Sequence, residues 1–141
     1  MPPGEERWRA IAPIAGLPQW SPDGDKLLYQ ESPFDAWALN VSEERSVLPE
    51  DVPELLIRLS TPIAELKWFA GSQHVLFLQQ DILQLLEIDP RDGHRIDTLT
   101  STNRGQNSVF PVAEGAEVYI VARRDNQDAL LRLLLRIPED R

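Results

Sequence analysis

An all-β fold of four-stranded antiparallel meanders is predicted by three observations. Short apolar runs of strand length recur along the 141 residues, and turn spellings rich in Pro, Asp and Gly separate them. Twelve prolines are spread so that no long helix can run uninterrupted. An aromatic residue followed by a turn and an aliphatic-aromatic run returns at intervals of 40 to 50 residues.

The most clearly written element is LPQWSPDGDKLLYQ at 17–30. Pro22 presets φ at the first central turn position, Asp23 bonds nearby backbone, and Gly24 supplies the positive φ of a tight turn. Leu27, Leu28 and Tyr29 then form a run suited to a strand buried on both faces. Upstream, RWRAIAPI at 7–14 reads as a short strand with Trp8, Ala10, Ala12 and Ile14 on one face, and Pro13 makes it an edge. Downstream, the turn Glu31 to Asp35 leads into a third strand, Ala36 to Val41. The stretch SEERSVLPEDVPE at 42–54 is the longest connection, a loop or a short helix from Ser42. Leu55 to Leu59 reads as a fourth strand, with a helical turn as the alternative.

A second cycle follows. Ile63 to Trp68, His74 to Leu78, Asp81 to Asp89 and His94 to Thr100 are its strands, and Pro90-Arg91-Asp92-Gly93 is another Pro/Asp/Gly turn. A third cycle has three: Val109 to Val112, Val118 to Val121, and Ala129 to Ile137. The last, ALLRLLLRI, has equal helical propensity, and only its place in the cycle argues for strand.

Positions 20 and 68 are 48 residues apart, and this offset also sets Leu27 over Val75, Leu28 over Leu76 and Tyr29 over Phe77. A further 42 puts Phe110 over Trp68, Val118 over Leu76 and Tyr119 over Phe77. Repetition of this period with four strands per unit is the pattern of β-propeller blades, each of which needs a neighbour on both faces. The expected organisation is one β-propeller domain or segment over 1–141, an incomplete or small ring. Its units fall at about 17–60, 63–100 and 107–137, with 7–14 as a strand that would close the last. Three units fall short of the roughly four to eight blades of closed propellers. The chain is then a segment of a larger ring, half of a six-bladed ring of two copies, or a stack capped in another way. The first is preferred, because unpaired edges invite association.

Composition narrows the chemistry. With 14 Lys and Arg against 23 Asp and Glu, the formal charge is −9 and the basic residues are scattered, which argues against a nucleic-acid partner. Cysteine is absent, so no disulfide or thiolate chemistry is available. No window reaches the roughly 20 apolar residues of a membrane span, and the first residues carry Pro and charge where an export signal needs an apolar core. A soluble chain without membrane insertion is expected.

No catalytic, cofactor or metal site is expected. His74 and His94 are the only histidines, and no G-x-S-x-G elbow is present. Ser21 belongs to a turn, where its hydroxyl bonds backbone. Asp23, Asp25, Asp89 and Asp92 flank turns without the alternating ligands of an EF-hand loop. Among the four tryptophans, Trp20 and Trp68 recur at one repeat position and are read as structural. Trp8 and Trp37, with Phe34, are the candidates for an exposed contact surface.

The phrase Trp20-Ser21-Pro22-Asp23-Gly24 followed by Leu27-Leu28-Tyr29 resembles the WD-like repeat of TolB-type β-propellers, in which such a turn joins the first two strands of a blade. The second unit, with Trp68 and the ending Leu86 to Gly93, is similar to propeller repeats of bacterial envelope proteins. The resemblance is specific at the first motif and extends to the other units as pattern, with Phe110 at the aromatic position of the third. It implies a non-catalytic scaffold for protein contacts, periplasmic or extracellular, needing no cofactor. The alternative it implies is an accessory propeller of a peptidase or other hydrolase whose catalytic domain lies outside this chain. A protein partner is expected, and self-association into a homo-oligomer is the second expectation.

Overall fold

Each apolar run between turn signals forms a strand because its neighbours in sequence can fold back beside it over short connections. The computed structural model describes residues 10–41, 52–69, 73–90, 93–103, 109–111 and 117–135. The first sheet holds β1 (Gln19–Trp20), β2 (Lys26–Tyr29), β3 (Asp35–Asn40) and β4 (Glu54–Arg58). The middle sheet holds β5 (Ile63–Phe69), β6 (His74–Gln79), β7 (Ile82–Glu87) and β8 (Ile96–Ser101), and the third holds β9 (Val109–Pro111), β10 (Glu117–Arg124) and β11 (Gln127–Leu134). All pairings are antiparallel between consecutive strands, and the described residues contain no helix.

The turn after β1 is held as its spelling predicts. Gly24 donates its N–H to Ser21 O at 2.9 Å and has φ 78°. Ser21 Oγ donates to Asp23 Oδ1 at 2.7 Å and accepts the Lys26 N–H at 3.0 Å, while Asp25 N–H reaches the same Asp23 oxygen at 3.0 Å. Asp125 and Asn126, both with positive φ, make the two-residue hairpin between β10 and β11. The segment with open helix or strand propensity, from Ala129 on, is strand to Leu134, fixed by six of the eight residue pairs between β11 and β10. Its residues alternate between exposed and half-buried, as a period of two requires.

The three sheets stack face to face. Leu28, Ala36, Ala38 and Leu56 of the first meet Leu66, Trp68, Val75, Phe77 and Leu86 of the middle sheet. On its opposite face Phe69, Leu76, Leu78, Leu83 and Leu85 meet Val109, Val118, Ile120 and Ala122 of the third. The middle sheet is therefore covered on both sides, and Val75 to Leu78 are each no more than 1% exposed.

First strands lie beside first strands. Gln19 Nε2 donates to Leu66 O at 2.6 Å, and Trp68 Nε1 donates back to Gln19 O at 3.0 Å. At the next junction Lys67 Nζ donates to Val109 O at 2.8 Å. Trp20 pairs with Leu27 and Trp68 with Val75, as the offset of 48 requires. The third unit departs from the expected alignment by one residue. Val118 pairs with Pro111, and Phe110 pairs with Tyr119. Pro111 therefore stands where Trp20 and Trp68 stand, and Phe110 takes the place of Gln19 and Lys67. Because strand side chains alternate, this single step moves Phe110 and Tyr119 to the opposite face from the one expected.

Residues 10–14, within the expected closing strand 7–14, form no strand and lie against the outer face of the first sheet near Leu27, Tyr29 and Leu39. The remainder of that segment, and the connection 42–51 with its alternative helix, lie outside the described residues.

The stacking sets a stability contrast. Phe77→Ala, at a site 1% exposed in the first junction, lowers unfolding free energy by about 3–5 kcal/mol. Leu130→Ser, at a site 70% exposed on the third sheet, stays within about 0.5 kcal/mol in the monomer. Urea unfolding of both variants at low protein concentration checks this, and equal losses would contradict the assigned stacking.

Candidate interaction surface

The outer face of the first sheet is built by the pairs Leu27↔Leu39 and Tyr29↔Trp37, which place these four side chains on one side. Ile11, Ala12, Pro13 and Ile14 lie over part of it and enclose a shallow, largely apolar cleft with Leu27, Tyr29 and Leu39. Ala15 N–H, bonded to Gln30 O at 2.8 Å, anchors the end of that covering segment. Two polar atoms are buried on this face without a hydrogen-bond partner among the described residues: Tyr29 Oη and Trp37 Nε1. Burial, aided by the charges of Glu31 and Asp35, raises the Tyr29 hydroxyl above the ordinary tyrosine value of 10.0.

Trp37, expected to be exposed, is half-buried, and the Arg58 guanidinium lies 6.0 Å from its ring centroid. Phe34 is 40% exposed on the turn between β2 and β3. That turn is rigidly held. The buried Asp35 carboxylate accepts Glu31 N–H at 2.8 Å, Ser32 N–H at 3.1 Å and Ser32 Oγ–H at 2.8 Å, and Ser32 Oγ in turn accepts the Phe34 N–H at 3.2 Å. Phe34 O accepts the Leu59 N–H at 2.7 Å. The backbone is thus fixed while the ring faces solvent. Trp8 lies outside the described residues.

The two repeat tryptophans have opposite environments. Trp68 is 7% exposed with its indole N–H bonded, whereas Trp20 is 59% exposed. Their register is shared, and the difference comes from the sheet that covers Trp68 and has no counterpart over Trp20 among the described residues. Ser21 is buried, while Pro22, Asp23 and Gly24 are exposed on the turn. Phe110 is 47% exposed, with Lys67 Nζ 5.1 Å from its ring centroid.

His94 Nδ1 lies 3.1 Å from Glu87 O, and its Nε2 lies 3.0 Å from Glu54 Oε2 on β4, so the imidazole links the middle sheet to the first. His74 is on β6. No group of three metal-ligating side chains occurs among the described residues. No helix among them is long and apolar enough to cross a membrane.

Several contact candidates carried no mark in the sequence. Ile11, Ile14 and Leu17 are exposed at 54%, 54% and 91%, and Leu130 and Leu134 at 70% and 62%. As members of apolar runs they look like core residues, and only the side on which a neighbouring sheet stops separates them from core. No family model matches the chain, and no curated protein matches its sequence.

Tyr29→Phe tests the outer face. Removing a buried hydroxyl with no partner leaves neutral-pH stability unchanged or raises it by up to about 1 kcal/mol. The raised folded value gives the wild type a contribution that is complete below pH 10.0 and declines as pH rises from there through the folded value. The variant lacks that part of the alkaline decline in denaturant titrations run on either side of pH 10.0. An identical alkaline slope in both proteins would contradict the burial of this hydroxyl.

Proposed function

We propose that this chain is a non-catalytic binding scaffold, built as three blades of a TolB-like β-propeller and working in a larger assembly. The observation that supports this reading is one junction made twice. In each, a sheet lays its second and third strands on the preceding sheet, and the first strands of the two sheets are tied by a side-chain donor to a backbone carbonyl. Consecutive meanders repeated in this way suit blades around an axis. Such a scaffold presents turns on fixed strands, and loops held by rigid elements are where binding side chains are usually found.

In this reading the first sheet addresses a protein partner through Phe34 on its braced turn, together with Trp37 of β3 and Arg58 of β4. An exposed aromatic, with a Trp and an Arg on the same sheet, is the residue chemistry of interface anchors. The acidic balance of the chain disfavours nucleic acid and suits a partner with basic or apolar contact groups.

Crosslinking with the full chain as bait, followed by affinity measurement on the protein captured, tests this. Phe34→Asp weakens that complex by more than about tenfold while leaving the thermal midpoint unchanged. Labelling of the purified chain by a serine-hydrolase probe, with no protein captured, would overturn the scaffold reading.

A further inference from the structure

The first sheet and the third each have one face that no sheet covers among the described residues, and these faces are opposite halves of the repeated junction. In the first junction, Trp68 of the middle sheet is buried and donates its indole N–H to Gln19 O. The strand register makes Trp20 the counterpart of Trp68, since they pair with Leu27 and Val75. It makes Phe110 the counterpart of Gln19, since these pair with Tyr119 and Leu28. The chain thus carries a second copy of each half, Trp20 on the first sheet and Phe110 on the third, and both are open. Trp20 is 59% exposed against 7% for Trp68. Tyr119 and Val121, in the places of the buried Leu76 and Leu78, are only half-buried, and Leu130 and Leu134 beside them are exposed.

We propose that these two halves meet between two copies of this chain, head to tail. The first sheet of one copy docks on the third sheet of the other, and Trp20 enters as Trp68 does. Its indole N–H bonds the backbone carbonyl of Phe110 of the partner subunit. Since each copy has one open half of each kind, two copies satisfy both, and the heterologous contact closes as a pair. The inference rests on the repeated-junction part of the functional reading and on no property of an outside partner.

The occupant is a second copy because both halves, in matching register, are present on one chain. Ile11 to Ile14 lie over Leu27, Tyr29 and Leu39 on the docking face of the first sheet, and Tyr29 and Leu39 are each 5% exposed, so docking requires this segment to shift. It precedes β1 as 58–62 precede β5, and Leu59 and Ile63 already pack at the edge of the first internal junction. Charge on the third sheet sets the strength, and Arg123–Asp128 at 3.2 Å stands on the same side as Tyr119 and Val121. Arg132, paired with Glu117 at 3.9 Å, faces Tyr119 across the ladder, where Leu85 faces Leu76 in the middle sheet. A charged pair in place of a buried leucine makes this junction weaker than the internal ones, so the pair dissociates on dilution.

Sedimentation equilibrium of the full chain over a wide concentration range tests the proposal. The expected result is a reversible monomer–dimer equilibrium with a mass limit of twice the chain. Trp20→Asp alone and Phe110→Asp alone each weaken it by more than about tenfold, with unchanged far-UV circular dichroism. Mixing the two variants restores association, because the mixed pair keeps one intact Trp20–Phe110 contact. A strictly monomeric wild type overturns the proposal, and so does a dimer indifferent to both substitutions. A dimer weakened by both but not rescued on mixing overturns the head-to-tail arrangement, and masses that climb without limit overturn closure by two copies. A monomer that still captures a protein through Phe34 ends this inference and leaves the scaffold reading standing.

Discussion

The rest of the structure depends on the middle sheet being dry on both faces. A four-stranded meander has two apolar faces and no helix of its own to cover either, so β6, with Val75 to Leu78 all buried, requires a neighbour on each side. The first sheet supplies Leu28, Ala36, Ala38 and Leu56 on one side, and the third supplies Val109, Val118, Ile120 and Ala122 on the other. The small Ala36 and Ala38 opposite Trp68 and Phe77 let these large rings fill the first junction, in keeping with close packing of small against large. Neither outer sheet is buried to this degree, and each is half-dressed as a result.

The junctions are conserved in geometry within the chain more than in residue type. Gln19 and Lys67 hold the same register position, and each donates to a carbonyl of the next first strand, one through an amide and the other through an ammonium. What the place requires is a donor long enough to reach across, because a buried carbonyl without one is costly. Lys67 also lies 3.8 Å from Glu65 Oε1, and its Nζ is 5.1 Å from the Phe110 ring centroid. Phe110, third in the series, cannot donate at all.

Much of this was legible in the sequence, and the reason lies in particular residues. Pro22, Asp23 and Gly24 state a turn whatever surrounds them, and once it is placed, alternation carries Leu27 to Tyr29 into β2. The alignment of the third unit slipped because Phe110 and Tyr119 offered an aromatic match while the true counterpart of Trp68 is Pro111, which bears no resemblance to it. A one-residue shift is invisible in a run that is apolar at consecutive positions, and the ladder alone fixes it. Likewise Trp20 and Trp68 are spelled alike and buried differently, since burial is a property of the adjacent sheet and not of the local pattern. Trp37 has no repeat partner to indicate its environment; it is half-buried on the face it shares with Tyr29, with Arg58 6.0 Å from its ring centroid.

Edges and faces of the stack are treated differently, and this distinguishes the associations open to it. The outermost strands have a single neighbour among the described residues, and two of them carry exposed ion pairs, Arg95–Asp97 at 3.3 Å by β8 and Arg123–Asp128 at 3.2 Å between β10 and β11. Such pairs add little stability. At β8 their effect is to place hydrated charge where another strand would otherwise add, the usual defence of a sheet edge, whereas Arg123–Asp128 joins β10 to β11 on the sheet face. The outer face of the third sheet carries Leu130 and Leu134 together with the charges of Glu117, Arg123, Asp128 and Arg132, while Trp20 is exposed on the first sheet. Addition of a strand at β8 is therefore opposed by desolvation of Arg95 and Asp97, while stacking on the third sheet removes apolar surface from water at the cost of desolvating its two ion pairs.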